Sequence, residues 1–178
     1  KPDPANMMRS ILVGILVLMA AGVGFLTFDW YRKSSGAEPY GAPFTLVVAD
    51  TGVNSPTKLT VGDVGRLFET EPERIVPIFE RIGAIACEGR AAIEAGRIAA
   101  LGPLMNENHA LLRQLTVSSP ELDALCAAAL QAGASGAKLS GGGRGGNMIA
   151  LAAPASAPAV ASALHDAGAT SVFVTTVS

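Results

Sequence analysis

The chain has 178 residues, 49% of them apolar and only 5% aromatic, with a formal net charge of −2. That length suits one ordinary domain plus an appendage. The near-neutral balance gives no basic footprint and excludes nucleic acid as a partner held by charge.

The first predicted element is Ile11–Phe28, an apolar run without one charge. Its eighteen residues at about 1.5 Å each span about 27 Å, close to the hydrocarbon thickness of a bilayer. Arg9 precedes it, and Asp29-Trp30-Tyr31-Arg32-Lys33 follows, an aromatic pair with cations at interface depth. Ala20 and Gly24 belong to a small-residue patch where a second helix could pack. The run therefore predicts a retained single-pass anchor over residues 1–33, with membrane lipids and other membrane-protein subunits as partners. A cleaved signal ending near Ser35-Gly36-Ala37 is the competing expectation. Cations nearly balance across the run, so orientation stays open, with the following domain placed on the cytoplasmic side.

Residues 34–43 read as a linker rich in turn formers. Phe44–Ala49 is a β-type run, ended by Asp50-Thr51-Gly52. Helices are predicted over about Lys58–Glu69, from Pro72 to about Gly96, and over about Ile98–Leu115. Ser119-Pro120 is an N-cap signal for a fourth helix to Gln131, with Gly133 closing it. Then come a short strand at Ala137–Leu139, a glycine-rich loop, a strand at Asn147–Ala152, a helix from Pro154 to about Ala167, and a strand at Ser171–Val177. Four strands with helices bunched between them predict an α+β domain over residues 44–178, an antiparallel sheet covered by helices. Cys87 and Cys126 read as small buried hydrophobes. His109 and His165 fit no metal spacing and read as surface or helix-end residues.

The loop carries the chemistry. Ser140-Gly141-Gly142-Gly143-Arg144-Gly145-Gly146 offers backbone amides that can converge on an anion, ordinarily a phosphate, with Ser140 and Arg144 as further donors. Gly141, Gly143 and Gly146 match G-x-G-x-x-G by position, but here the pattern joins two strands, so a dinucleotide fold is rejected. A flexible hairpin tip is the bland alternative, and so much glycine in a mere tip is disfavoured by folding entropy. Asp50-Thr51-Gly52 invites comparison with an aspartic protease, yet that chemistry needs two carboxylates and the chain has one such triplet. A strand-end turn capped by Asp50 is the better expectation. Asn106 and His109 share a helix face, read with equal weight as solvated or as a polar patch beside the glycine loop.

Taken together, Val48–Gly52, Ser55–Lys58, Leu104–Leu112, Ser118–Asp123 and Ala137–Met148 resemble the carboxy-terminal part of the GHMP small-molecule kinases. The resemblance implies that Ser140–Gly146 line the phosphate and substrate end of a site. It also implies that Asp50, Thr51, Gly52, Thr57 and Lys58 form a substrate-side loop. Enzymes of that family move the γ-phosphoryl of ATP, with Mg²⁺, to a small alcohol. Their main ATP-phosphate loop and catalytic aspartate are not found in this sequence, and half a site should not catalyse phosphoryl transfer. The leading expectation is therefore a membrane accessory subunit with a catalytically incomplete kinase-like domain, no catalytic residue and no cofactor or metal of its own. The alternative is the carboxy-terminal part of a kinase acting on mevalonate, with ATP and Mg²⁺. A third is a module that binds a phosphorylated metabolite.

Overall fold

The computed structural model describes residues 43–54 and 57–177. In chain order these form β1 (Phe44–Asp50), α1 (Thr57–Thr70), α2 (Pro72–Glu94), a single 3₁₀ turn (Ile98–Ala100), α3 (Leu101–Gln114), α4 (Pro120–Gln131), β2 (Gly136–Ser140), β3 (Asn147–Ala152), α5 (Ala157–Asp166) and β4 (Ser171–Val177). The sheet order is β2-β3-β1-β4, with every neighbouring pair antiparallel. This is the split β-α-β arrangement, and it gives the α+β architecture expected from the strand and helix pattern. The predicted span at Ile11–Phe28, with Ala20 and Gly24, lies outside the described residues. Among the described residues no helix is long and apolar enough to cross a membrane.

Local sequence explains the elements. In β1 the alternating residues Thr45, Val47 and Ala49 are buried on one face. Isoleucines 75, 78, 82 and 85 recur every three or four positions in α2 and are buried as one stripe. The α4 cap forms as predicted: Ser119 Oγ accepts from Leu122 N at 3.3 Å and Pro120 opens the helix. Gly133 and Gly168 end α4 and α5 with φ of 99° each.

Helices α4 and α5 lie on the sheet face carrying Val47, Ala49, Ala137, Leu139, Met148 and Ala150, all buried. Helix α3 does something different. It runs along the free edge of β2, where Gly102 and Gly136 meet backbone to backbone and neither has room for a Cβ. The opposite sheet face is only partly covered. A cluster of Phe44, Ala92, Leu101 and Leu151 closes one end, while Phe173 in the edge strand β4 is 65% exposed.

Two single-residue expectations fail. Cys126 is buried as predicted, but Cys87 is exposed, because it sits on the outer side of α2, off the isoleucine stripe. His109 is buried rather than on the surface, because α3 turns that face onto β2. His165 lies exposed in the last turn of α5, as expected.

Candidate functional site

Strands β2 and β3 pair up to Ser140 and Asn147, and Gly141–Gly146 join them as a hairpin. The loop connects antiparallel strands and not a strand to a helix, which removes the dinucleotide reading. Gly141, Gly143, Arg144, Gly145 and Gly146 have φ of 104°, 81°, 54°, 145° and 73°. That left-handed path is open chiefly to glycine. The loop is also tightly backed. A Cβ on Gly142 would strike Thr57, one on Gly143 would strike the Val117 carbonyl, and one on Gly145 would strike Val53. It is a packed element, not a loose tip.

Hydrogen bonds fix this packing. Arg144 N donates to Val117 O at 2.6 Å and Gly146 N donates to Val53 O at 2.9 Å. Gly146 O accepts from Thr51 N at 2.9 Å and from Thr51 Oγ1 at 3.0 Å. Asp50 Oδ1 accepts from Gly52 N at 2.9 Å, so Asp50 caps a strand-end turn, as the sequence suggests. The structure thus gathers Asp50–Gly52, Thr57 at the start of α1, the turn after α3 and the glycine loop. Lys58 is exposed beside Thr57.

The amides of Gly141, Gly142, Gly143 and Gly145 have no acceptor among the described residues, and neither has Ser140 Oγ. Gly141 is exposed and Gly142 half-buried, so their donors stand nearest to solvent. Convergent amides without acceptors can take an anion's oxygens. Arg144, expected as a donor to a ligand, makes its contacts within the chain. Its Nε donates to Thr116 O at 2.9 Å, its Nη2 to Thr116 Oγ1 at 3.2 Å, and its Nη1 is paired with the Asp63 carboxylate. The guanidinium is occupied because Thr116 turns its carbonyl outward at φ 57° and α1 brings Asp63 alongside.

Asn106 is half-buried and His109 buried, and both face β2. Asn106 Oδ1 accepts from Ala137 N at 2.9 Å and His109 Nδ1 accepts from Leu139 N at 3.3 Å. They supply the acceptors that a neighbouring strand would give to β2. Because Nδ1 accepts, the ring proton sits on Nε2, which faces Asp123 Oδ1 at 3.2 Å. Asp123 is itself held by Ser118 Oγ at 2.6 Å and Arg113 Nε at 2.9 Å. Burial pushes the His109 pKa below its ordinary value, and Asp123 opposes this only in part. Lys138, 7% exposed, gives Nζ to Leu139 O at 2.8 Å, and burial pulls its pKa down to about 8. Burial also pushes the Cys126 thiol up to about 12, so it is an inert core residue. The sequence gives no role to Lys138 or Asp63. Asp63 acquires one by pairing with Arg144 of the distant glycine loop, and Lys138 through its burial.

Residues 90–170 match the family described as GHMP kinases C terminal. The mevalonate kinase of Pyrococcus furiosus is 42% identical over 148 residues, covering 80% of this chain and 44% of that protein. The resemblance to the carboxy-terminal domain of the GHMP kinases is thus borne out. The mevalonate kinase of Pyrococcus abyssi is 40% identical over 162 residues, covering 88% of this chain and 47% of that protein. Among solved structures, mevalonate kinase of L. major in complex with R-mevalonate superposes with a TM-score of 0.74 at 34% identity, covering 79% of this chain and 44% of that one. The chain spans about half the length of the curated relatives it matches.

These relatives overturn the expected membrane accessory subunit. Proteins at this identity are kinases, and a match over 88% of 178 residues must begin before Phe25. The end of the apolar run therefore lies inside the region aligned with a mevalonate kinase. A high apolar content in eighteen residues cannot by itself separate a span from a run buried inside a large protein.

Proposed function

We propose that this chain is the carboxy-terminal part of a mevalonate kinase, which moves the γ-phosphoryl of ATP onto a hydroxyl of mevalonate. The observation that carries the reading is the packed glycine loop with spare amides, in a chain 42% identical to such an enzyme. Phosphoryl transfer depends on positioning and on neutralising charge on the transferring oxygens. On this reading, Gly141 and Gly142 amides and Ser140 Oγ donate to phosphate oxygens. Thr57 and Lys58 border the substrate side, and the Asp50–Gly52 turn holds the loop through Gly146. The remaining parts of the site come from the length of the relatives that this chain does not span. Magnesium would neutralise the phosphates when bound with ATP.

The test is a fusion of this chain to the amino-terminal half of the Pyrococcus furiosus enzyme. Mevalonate-dependent release of ADP is expected, with Ser140→Ala lowering turnover about tenfold. A folded fusion that binds ATP but releases no ADP with mevalonate would overturn the proposal.

A further inference from the structure

Every residue from Gly141 to Gly146 is glycine except Arg144, and Arg144 stands at φ 54°. Glycine would be relaxed there, whereas a residue with a Cβ is strained in this region. The arginine side chain must therefore supply something that outweighs the strain. Among the described residues only one other non-glycine residue has positive φ: Thr116, at 57°. These two strained residues hold each other. Arg144 Nε and Nη2 reach Thr116 O and Oγ1, while Arg144 N donates to the adjoining Val117 O. The remaining guanidinium nitrogen pairs with Asp63 on α1, the helix whose first residue, Thr57, backs Gly142.

We infer that Arg144 is the positioning residue of the glycine loop: it binds the loop, the turn after α3 and α1 into one unit and gives no bond to a ligand. Its flat guanidinium suits this role, since it serves a carbonyl, a hydroxyl and a carboxylate from one plane. Asp63 supplies the third contact, which adds to the packing of Thr57 on Gly142 in tying α1 to the loop. The inference rests on the kinase reading only for its effect on turnover. The latch itself is a property of this chain.

Two experiments test it. In the 178-residue chain, amide exchange followed by NMR should speed up about tenfold or more at residues 144 and 146 in Arg144→Ala and in Arg144→Gly. Exchange at Ile149 and Ala150 should stay unchanged. Arg144→Gly relieves the backbone strain, so it isolates the side chain. Asp63→Asn should give a similar, smaller rise, and the double variant should be no worse than Arg144→Ala alone. In the active fusion, Arg144→Ala should lower kcat about tenfold with KM for ATP and mevalonate nearly unchanged, with partial rescue by Arg144→Lys. Unchanged exchange in Arg144→Gly would overturn the latch. So would a fusion in which Arg144→Ala raises KM for ATP while Asp63→Asn is neutral, the signature of a direct phosphate contact. An inactive fusion with the exchange effect intact would sink the kinase reading and leave the latch standing.

Discussion

The flank and the tip of the same strand solve one backbone problem in opposite ways. Along the free edge of β2, Asn106 and His109 supply acceptors for Ala137 N and Leu139 N, and Lys138 folds back onto Leu139 O. A few residues on, Gly141, Gly142 and Gly143 keep amides with no acceptor among the described residues, although Thr57 and Val117 pack tightly against the loop. Buried polar groups in a folded chain are nearly always paired. The flank obeys that rule and completes a sheet. At the tip the amides of Gly141 and Gly142 stand toward solvent on a closely backed loop, which is how a binding surface differs from a finished one.

The largest effect expected is at the tip. Gly143→Ala places a Cβ against the Val117 carbonyl at φ 81° and should destabilise the chain by about 3 kcal/mol in a denaturant titration. A loss under about 1 kcal/mol would mean the loop yields, and the contrast between packed tip and loose hairpin would collapse.

On the flank, Asn106→Ala strips the acceptor from Ala137 N. It should cost about 2 kcal/mol by the same titration while leaving ATP affinity of the fusion unchanged. A change in affinity without a change in stability would reverse the roles of the two regions.

Lys138→Met removes a buried ammonium whose pKa the fold pulls down to about 8. Because the folded value lies below the unfolded one, the stabilising contribution of the neutral amine is present above pH 10.5 and is lost as pH falls toward 8. The variant should therefore be more stable than the parent by about 1 kcal/mol at pH 7, with the gain shrinking toward pH 10. No gain at pH 7 would show that Lys138 is better solvated than its surroundings imply.

The smallest effect concerns His109, whose pKa is also lowered by burial. Its contribution is present above the ordinary value of 6.5 and is lost as pH falls below it, since a second ring proton would face the Leu139 amide. Unfolding followed from pH 7 to pH 5 should show stability falling, and His109→Gln should flatten part of that slope. A variant with the parent's full slope would place the titration elsewhere.

Much of this was legible beforehand because the signals are local. Ser119-Pro120 caps α4, and the β-type runs Phe44–Ala49 and Ser171–Val177 mark strands. The glycine loop could be located, and Asp50 recognised as a turn cap, from a few adjacent residues. What stayed hidden depends on distant pairing. Arg144 reads as a free cation until Asp63 and Thr116, 81 and 28 positions earlier in the sequence, are placed beside it. His109 reads as a surface residue until α3 lies on β2. The apolar run Ile11–Phe28 satisfies every simple rule for a span, yet the membrane accessory subunit inferred from it is overturned by relatives that are mevalonate kinases.

The most direct measurement is residue-resolved amide exchange in the fusion enzyme with and without ATP and mevalonate. The account predicts that substrates slow exchange at Gly141 and Gly142 and leave Ala137 and Leu139 on the flank unchanged. A fusion that turns over while its loop amides exchange at the same rate with and without substrates would contradict it.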